Sequence, residues 1–467
     1  MNKNSLVRTN FQLPRENYWS KPYHQTLKNF VKFYVEEDRD VLALGKLSGE
    51  LLKIVKPKRS LGVDSNPHII KRLIQKYKSF TFRQLDIEQN TFDDKFDYIF
   101  AIDVISDLVD VQKTFSNLNN LTYPHTRLIF NYHNFLWEPI LKLASFLGLI
   151  PKRVDQNWLS PHDVKNLLYL TDFEIVKEEQ FLLFPIYIPI ITAYVNKILA
   201  SLPLIRNFCL VNLVIARPKP LTLVKQYTVS IVVPVRNEEK NILGVIKRTP
   251  EMGTHCEIIF VEGGSTDNTR EEIIRQMQNF EGQRDVRFVP QDNGVGKGDA
   301  VRLGFEAAKG EILVILDGDL TVLPEDLPKF YEAIASGRGE LINGSRLVYK
   351  LEKDSMRLLN IFGNKFFSFL FTWLLGQPVK DTLCGTKVLF AKDYQRIKIQ
   401  RKVFGDFDPF GDFDLLFGAS KLALKILEVP IRYKARTYGS TNINRFKHGW
   451  LLLKMSFLAL KKFKLAI

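Results

Sequence analysis

Short, uninterrupted apolar runs recur along this chain, and most end in glycine or an acid before a helical period begins. VLAL (41–44), FDYIFAI (96–102), VSIVV (229–233), EIIFV (257–261) and EILVIL (311–316) show the pattern. A strand with no polar alternation is buried on both faces, the condition of a strand in a parallel sheet covered by helices. The fold class is therefore α/β, and 467 residues suffice for two such units. A 45% hydrophobic and 25% charged composition excludes a disordered or fibrous chain.

The sharpest break lies at 216–227 (ARPKPLTLVKQY), where two prolines and three cations separate NLVIA from VSIVVPV. It divides the chain into a first α/β domain at 25–216, a linker at 217–227 and a second domain at 228–445. A basic amphipathic tail follows at 446–467. Lys and Arg number 66 against 51 Asp and Glu, a net charge of +15 that favours phosphate, anionic lipid or nucleic acid. No zinc spacing, helix-turn-helix or RNP-like motif speaks for nucleic acid. Residues 430–467 hold nine cations and no acid. The three cysteines, 209, 256 and 384, form no CxxC pair, which fits a reduced, cytoplasmic setting. The N-terminus has no apolar core of signal-peptide length, and Phe181–Thr192 falls short of the ~20 residues that span a bilayer. The 35 Phe are expected mainly in cores, with some on a membrane-facing surface.

In the first half, VLAL leads into Gly45 and Gly49, then LLKIV, and a second strand ends at Asp64. A glycine turn lets backbone approach a ligand, and an acid at the next strand end accepts ribose hydroxyls. FDYIFAI is followed by Asp103, and TRLIFN (126–131) by Tyr132 and His133, the latter read as a strand-end histidine rather than a base. The pattern resembles the class I S-adenosylmethionine-dependent methyltransferases, over about 25–215. The resemblance implies a Rossmann-like fold with Gly45, Gly49, Asp64 and Asp86 toward S-adenosylmethionine. In the first motif Ala43 stands for the acid and Leu47 for the middle glycine. The alternative is a fold retained for interaction or stability.

The second half is denser in chemistry. VSIVV runs into Pro234-Val235-Arg236-Asn237-Glu238, EIIFV into Glu262-Gly263-Gly264, and EILVIL into Asp317-Gly318-Asp319. Two carboxylates one residue apart at a buried strand end suit a hard divalent cation. Residues 293–300 (NGVGKGDA) place Lys297 and three glycines before a helix, a cradle for a diphosphate. The Gly-Lys-Ser/Thr ending of a P-loop is absent. Together these residues resemble family 2 glycosyltransferases of the GT-A fold, in the branch of dolichol- and polyprenyl-phosphate sugar synthases, over about 228–445. The resemblance implies that Pro234, Arg236, Glu238, Glu262, Gly263, Lys297 and Asp317 meet the nucleotide-sugar. Asp317 and Asp319 would hold Mg2+ or Mn2+. Arg346, in Gly-Ser-Arg, would face the phosphates, and Arg357, Lys365 and Asp381 the acceptor. Asp412 and Asp414 match an acid-x-acid before Val429-Pro430. Arg436 opens an Arg-x-x-Gly segment in which Thr441 and Asn442 replace Ser and Lys.

Breaking the sugar–diphosphate bond leaves negative charge that a metal and Arg346 or Arg436 can stabilise. A lipid phosphate, with a second pKa of about 6, is already an anionic nucleophile and needs no strong base. A saccharide hydroxyl needs one, and Asp412 or Asp414 would supply it. Residues 363–377 (GNKFFSFLFTWLLGQ) read as an aromatic amphipathic helix for a membrane interface, which favours polyprenyl phosphate and a peripheral place on the inner, anionic face of the membrane. The other readings are transfer to a glycan hydroxyl and a non-catalytic two-domain binding protein.

Overall fold

The computed structural model describes residues 21–150, 156–220, 225–292, 296–349, 358–403, 411–434, 436, 438 and 445–465. Its strands are β1 (Asp40–Leu44), β2 (Arg59–Asp64), β3 (Thr81–Gln84), β4 (Phe96–Ala101), β5 (Thr122–His133), β6 (Phe173–Phe181) and β7 (Val211–Pro218) in one sheet. A second sheet holds β8 (Thr228–Val235), β9 (His255–Glu262), β10 (Asp285–Pro290), β11 (Ile312–Ile315), β12 (Leu341–Ser345), β13 (Lys387–Phe390) and β14 (Ile426–Pro430).

The first sheet has the order β3-β2-β1-β4-β5-β7-β6. Its first five strands are parallel, β7 is antiparallel to β5 and β6 to β7. This is a Rossmann-like methyltransferase arrangement. Val41, Leu42, Ala43, Ile99 and Phe100 are fully buried, as unbroken apolar runs require. β5 begins four residues before the expected Thr126, because Thr122 pairs with Phe96 ahead of a register shift that re-enters at Arg127. The intervening Tyr-Pro-His is exposed, so no apolar signal marks it.

The second sheet has the order β10-β9-β8-β11-β13-β12-β14. β8, β9, β10 and β11 are parallel; β13 is antiparallel to both β11 and β12. β12 therefore runs with β8, β9 and β11, and the carboxyl ends of all four share one edge. That is the mixed sheet of a GT-A fold, and ligands bind at such an edge.

The two sheets share a core. One apolar cluster includes Tyr34 and Val211 of the first half, Phe371 and Phe417 of the second, and Phe463 near the C-terminus. Polar bonds lock the seam. Glu340 accepts two hydrogen bonds from Arg127 Nη2, at 2.7 and 2.8 Å, lies 3.3 Å from Arg217 Nη1, and Arg127 Nε donates to the Ala423 carbonyl. Glu36 pairs with Arg396 at 2.6 Å. Buried Lys177 donates to the Leu375 carbonyl, and burial pulls its ammonium pKa down to about 7 despite nearby Glu179. The C-terminal helix, Arg445–Leu460, is part of this packing: it buries Leu452, Met455 and Ala459, and Lys464 beyond it reaches Glu179 at 2.8 Å. Among the described residues no helix is long and apolar enough to cross a membrane.

Candidate functional site at the carboxyl edge of the second sheet

β11 carries Asp317 and Asp319 out of the buried Ile312–Leu316 run. Gly318 has to be glycine, because a Cβ there would lie 2.6 Å from Val235 Cγ1. Asp317 Oδ1 lies 2.6 Å from Lys297 Nζ, at the start of helix Lys297–Ala307. Burial alone would raise the Asp317 carboxyl; the ammonium of Lys297, helped by Lys387 and Arg346, holds it below the usual carboxylate range. Asp319 turns the other way. Its Oδ1 accepts from the Thr321 amide and hydroxyl at 3.1 and 2.7 Å, and its Oδ2 lies 2.5 Å from Arg436 Nη2. Arg436 arrives there because Tyr433 bridges to Val322 and the Lys434 amide donates to the Thr321 carbonyl.

Arg346 lies at the end of β12. Its Nε and Nη2 donate to the two oxygens of Asp381 at 2.7 and 2.8 Å, and its own amide donates to the same carboxylate. Asp381, expected at the acceptor, is instead fully buried, with no surface to offer an incoming molecule. Burial opposes the charge, but Arg346 keeps the Asp381 carboxyl well below its ordinary range. The bidentate pair fixes the guanidinium plane, which also lies 5.1 Å from the centre of the Tyr433 ring.

On the nucleotide side, Pro234 lies near the end of β8 and exposed Arg236 follows it. Asn237 takes φ +59°, a strained value that Asn tolerates, and its side chain accepts from the Thr266 amide at 2.8 Å. Glu238 is buried beneath this turn. Desolvation raises its pKa to about 7, opposed by Arg436, 3.6 Å away, and by a hydrogen bond from Asn241; the Asp319 and Asp267 carboxylates push the same way as burial. Glu262 is buried and accepts from the Ser265 amide, so its carboxylate shapes its own turn. Gly263 allows Gln291 Oε1 to approach, at 2.9 Å from where a Cβ would stand.

Asp414 is nearly buried between Arg401 Nε at 3.0 Å and Arg302 Nη1 at 3.4 Å. The side chain of Asp412 and the whole of Arg357, Thr441 and Asn442 lie outside the described residues. Lys365 is exposed on helix Leu358–Leu375.

Two residues of the segment 381–387 have roles that the sequence did not assign. A Cβ on Gly385 would stand 2.2 Å from Asp317 Oδ2 and 2.3 Å from Lys297 Nζ, so the glycine is the space in which that pair meets. Lys387, two residues on, is wholly buried, and its ammonium donates to the Cys384 carbonyl at 2.6 Å. A lysine opening the otherwise apolar strand β13 was the available signal for the second; for the first it was the Asp-x-x-x-Gly spacing of residues 381–385 (DTLCG), which resembles a segment of the lipid-phosphate branch.

Three cations, Lys297, Arg346 and Arg436, therefore surround two carboxylates at one sheet edge. Among the described residues no three His, Cys, Asp or Glu side chains form a metal cluster. The donor set fits a hard cation that takes its remaining ligands from water and a bound diphosphate, and does not fit an all-protein cage.

Residues 230–397 match the model of Glycosyl transferase family 2, and residues 44–168 that of a methyltransferase domain. The second half is a family 2 glycosyltransferase domain. This domain is 36% identical, over 225 residues, to an undecaprenyl-phosphate 4-deoxy-4-formamido-L-arabinose transferase of Edwardsiella ictaluri, a match covering 47% of this chain and 64% of that one. It is 29% identical to a dolichyl-phosphate beta-glucosyltransferase of Mus musculus, covering 44% and 66%. The chain thus spans just under two thirds of these relatives. Glucosyl-3-phosphoglycerate synthase from Mycobacterium tuberculosis superposes with a TM-score of 0.38 at 21% identity, over 51% of this chain and 80% of that one.

The methyltransferase domain ahead of the glycosyltransferase has its own strand-end site. Gly45 takes φ +84° after β1, and a Cβ there would lie 2.7 Å from Val104. Gly49 packs on the Tyr77 ring, and Leu47 is buried. Asp64 ends β2 and accepts from the Asn66 amide at 2.7 Å; Asp86 accepts from the Glu88 amide at 3.0 Å. At the end of β4, Asp103 accepts from the Tyr23 hydroxyl at 2.5 Å and Asn131 Nδ2 at 2.9 Å. Burial would raise the Asp103 carboxyl, but these donors, with His133 and Lys46, hold it below its ordinary range. The set suits the ribose end of S-adenosylmethionine through Asp64. The amino-acid end is less well matched: Tyr23 is bonded to Asp103 and Asn131 across the strand ends, and buried Leu47 stands where the motif has its middle glycine.

Proposed function

We propose that the protein transfers a sugar, with inversion, from a nucleotide-diphosphate donor to a polyprenyl phosphate. The observation that carries this reading is the gathering of Lys297, Arg346 and Arg436 around Asp317 and Asp319 at the carboxyl edge of the second sheet. The family match and the lipid-phosphate relatives support it.

A divalent ion held by Asp317 and Asp319, Mg2+ or Mn2+, would act as Lewis acid on the diphosphate. Lys297 and Arg436, each paired with one of the two aspartates, are placed to exchange those partners for phosphate oxygens as the donor enters. Arg346 does not need to move: Asp381 already orients it, so its charge meets the leaving diphosphate without reorganisation. Pro234, Arg236, Glu238, Glu262 and Gly263 form the turns that would border the nucleoside.

Asp414 bears on the choice of acceptor. A carboxylate clamped by two guanidinium groups is a poor proton acceptor, and a phosphate nucleophile at neutral pH requires none. That favours a lipid phosphate over a saccharide hydroxyl. Lys365, exposed on the Leu358–Leu375 helix, is a candidate for the acceptor phosphate, in a peripheral setting on the cytoplasmic face of the membrane. The test incubates the full chain with nucleotide sugars and Mn2+ or Mg2+ and measures free nucleotide with and without polyprenyl phosphate. Release stimulated by the lipid supports the reading; equal release in its absence, or stimulation by a free glycan alone, refutes the acceptor.

For the first half, we derive no methyl-transfer step, because Tyr23 bridges the strand ends and Leu47 replaces the motif's middle glycine. Titration calorimetry with S-adenosylmethionine checks this: absence of heat is the expected result.

A further inference from the structure

Four helices carry apolar stripes that point away from the core. In Glu138–Phe146 and the turn after it, Ile140, Leu143, Phe146 and Leu147 are exposed, Phe146 by 82%. In the helical segment 191–199 and the turn after it, the exposed large apolar residues are Ile191, Tyr194, Ile198 and Leu202. Helix Leu358–Leu375 exposes Phe366 and Phe369, and helix Arg445–Leu460 exposes Trp450, Leu453 and Phe457. Each set has the three- and four-residue spacing of one helical face. Scattered surface leucines need no explanation, but four outward stripes do.

The four segments are joined. Trp137 Nε1 donates to the Phe208 carbonyl at 2.8 Å, tying the first helix to the 182–208 excursion. Trp373 Nε1 donates to the Ser201 carbonyl at 2.8 Å, tying that excursion to the glycosyltransferase helix. Val195–Leu199 packs on Lys461–Leu465, and the two C-terminal-domain helices pack on one another. The surrounding charge is mainly positive, with Glu138 of the first helix paired to Lys142. From 182 to 208 there is no acid, while Lys197 and Arg206 are present; Lys365, Lys454 and Lys461 are exposed beside the other stripes. Behind the helical segment 191–199 lies a cavity of about 450 Å³ whose charged lining is Lys197, Arg206 and Lys464 against Glu179 alone.

We propose that the methyltransferase-fold domain docks this protein on an anionic lipid bilayer. Its two apolar excursions, 135–149 and 182–208, supply most of the inserting surface, and they extend the face begun by Phe366 and Trp450 of the catalytic half. This builds on the reading of the acceptor as a lipid phosphate, and assigns the first domain the task of keeping the catalytic edge at the membrane. Apolar faces flanked by cations insert at the headgroup boundary, with binding strengthened by anionic lipid.

The test is cosedimentation of the full chain with phosphatidylcholine vesicles, with and without phosphatidylglycerol, comparing the wild type with a Phe146→Asp/Tyr194→Asp variant. Both substitutions lie in the first domain, on exposed positions, so the melting temperature should hold. The wild type is expected to bind the anionic vesicles, and the variant to bind about tenfold or more weakly, since it loses two apolar anchors and gains two repelled charges. Nucleotide release with a short-chain polyprenyl phosphate in detergent should be the same in both. Loss of vesicle binding in the variant supports the surface even where neither protein turns over, a result that would count against the acceptor reading alone. Equal vesicle binding by the two, or a wild type that ignores vesicles and sediments as a dimer dispersed by the same substitutions, overturns it.

Discussion

At the residue scale, Asp317 and Lys297 meet in a space that exists because residue 385 lacks a side chain. Gly385→Ala would force the two groups apart. A displacement of about 1 Å at a catalytic group costs roughly 100-fold in rate, so kcat/KM for the donor should fall by about that factor. The melting temperature should change little, because the intrusion meets flexible side-chain ends. Glu238 gives a pH signature. Its folded pKa of about 7 exceeds the ordinary carboxyl value, so the folded protein holds this proton between about 4.5 and 7 while the unfolded chain does not. Ionisation above pH 7 adds a negative charge beside Arg436 and Asp319 and competes for the guanidinium. KM for the donor should therefore rise through pH 7, and Glu238→Gln should flatten that profile; an inflection that persists in the variant would place the titrating group elsewhere.

At the element scale, the buried central strands β1, β4, β8, β9 and β11 were legible, because an unbroken run such as Ile312–Leu316 has no solvent face to record, whereas β3, β6, β10, β12, β13 and β14 were not. The position of Asp317 and Asp319 at a strand end followed from the same signal. Elements fixed by tertiary pairing were not legible. The start of β5 depends on Thr122 meeting Phe96, and Asp381 reads as an exposed acid until Arg346 is found on its oxygens. The C-terminal helix shows both characters. Its cations mark a surface segment, yet Phe463 just beyond it is buried against the rings of Phe33 and Phe417, one from each half of the chain. Phe463→Ala should cost about 3–5 kcal/mol, measured by denaturant unfolding, and should weaken the seam rather than one domain alone.

At the scale of the whole molecule, the two halves behave as one body because their boundary carries buried charge and a common apolar core. Glu340 is the centre of that boundary. Against burial, which would raise it, the guanidinium groups of Arg127 and Arg217 depress its carboxyl to about 2. A depressed acid stabilises the fold above its unfolded pKa, and that contribution disappears as pH falls from about 4.5 toward 2. Glu340→Gln should remove this acid-sensitive component and, by leaving two buried arginines uncompensated, lower stability at neutral pH by about 3–5 kcal/mol. Calorimetry should then resolve two transitions where the wild type shows one. With the halves fixed to one another, a bilayer-docked first domain sets the height of the catalytic edge above the lipid. The most direct test of the transferase account is the lipid-dependent release of nucleotide in Mn2+ by the wild type and by Asp317→Asn and Asp319→Asn. Turnover reduced by about 100-fold or more in both variants, with folding intact, is the result predicted. Turnover at the wild-type rate in either variant would contradict it.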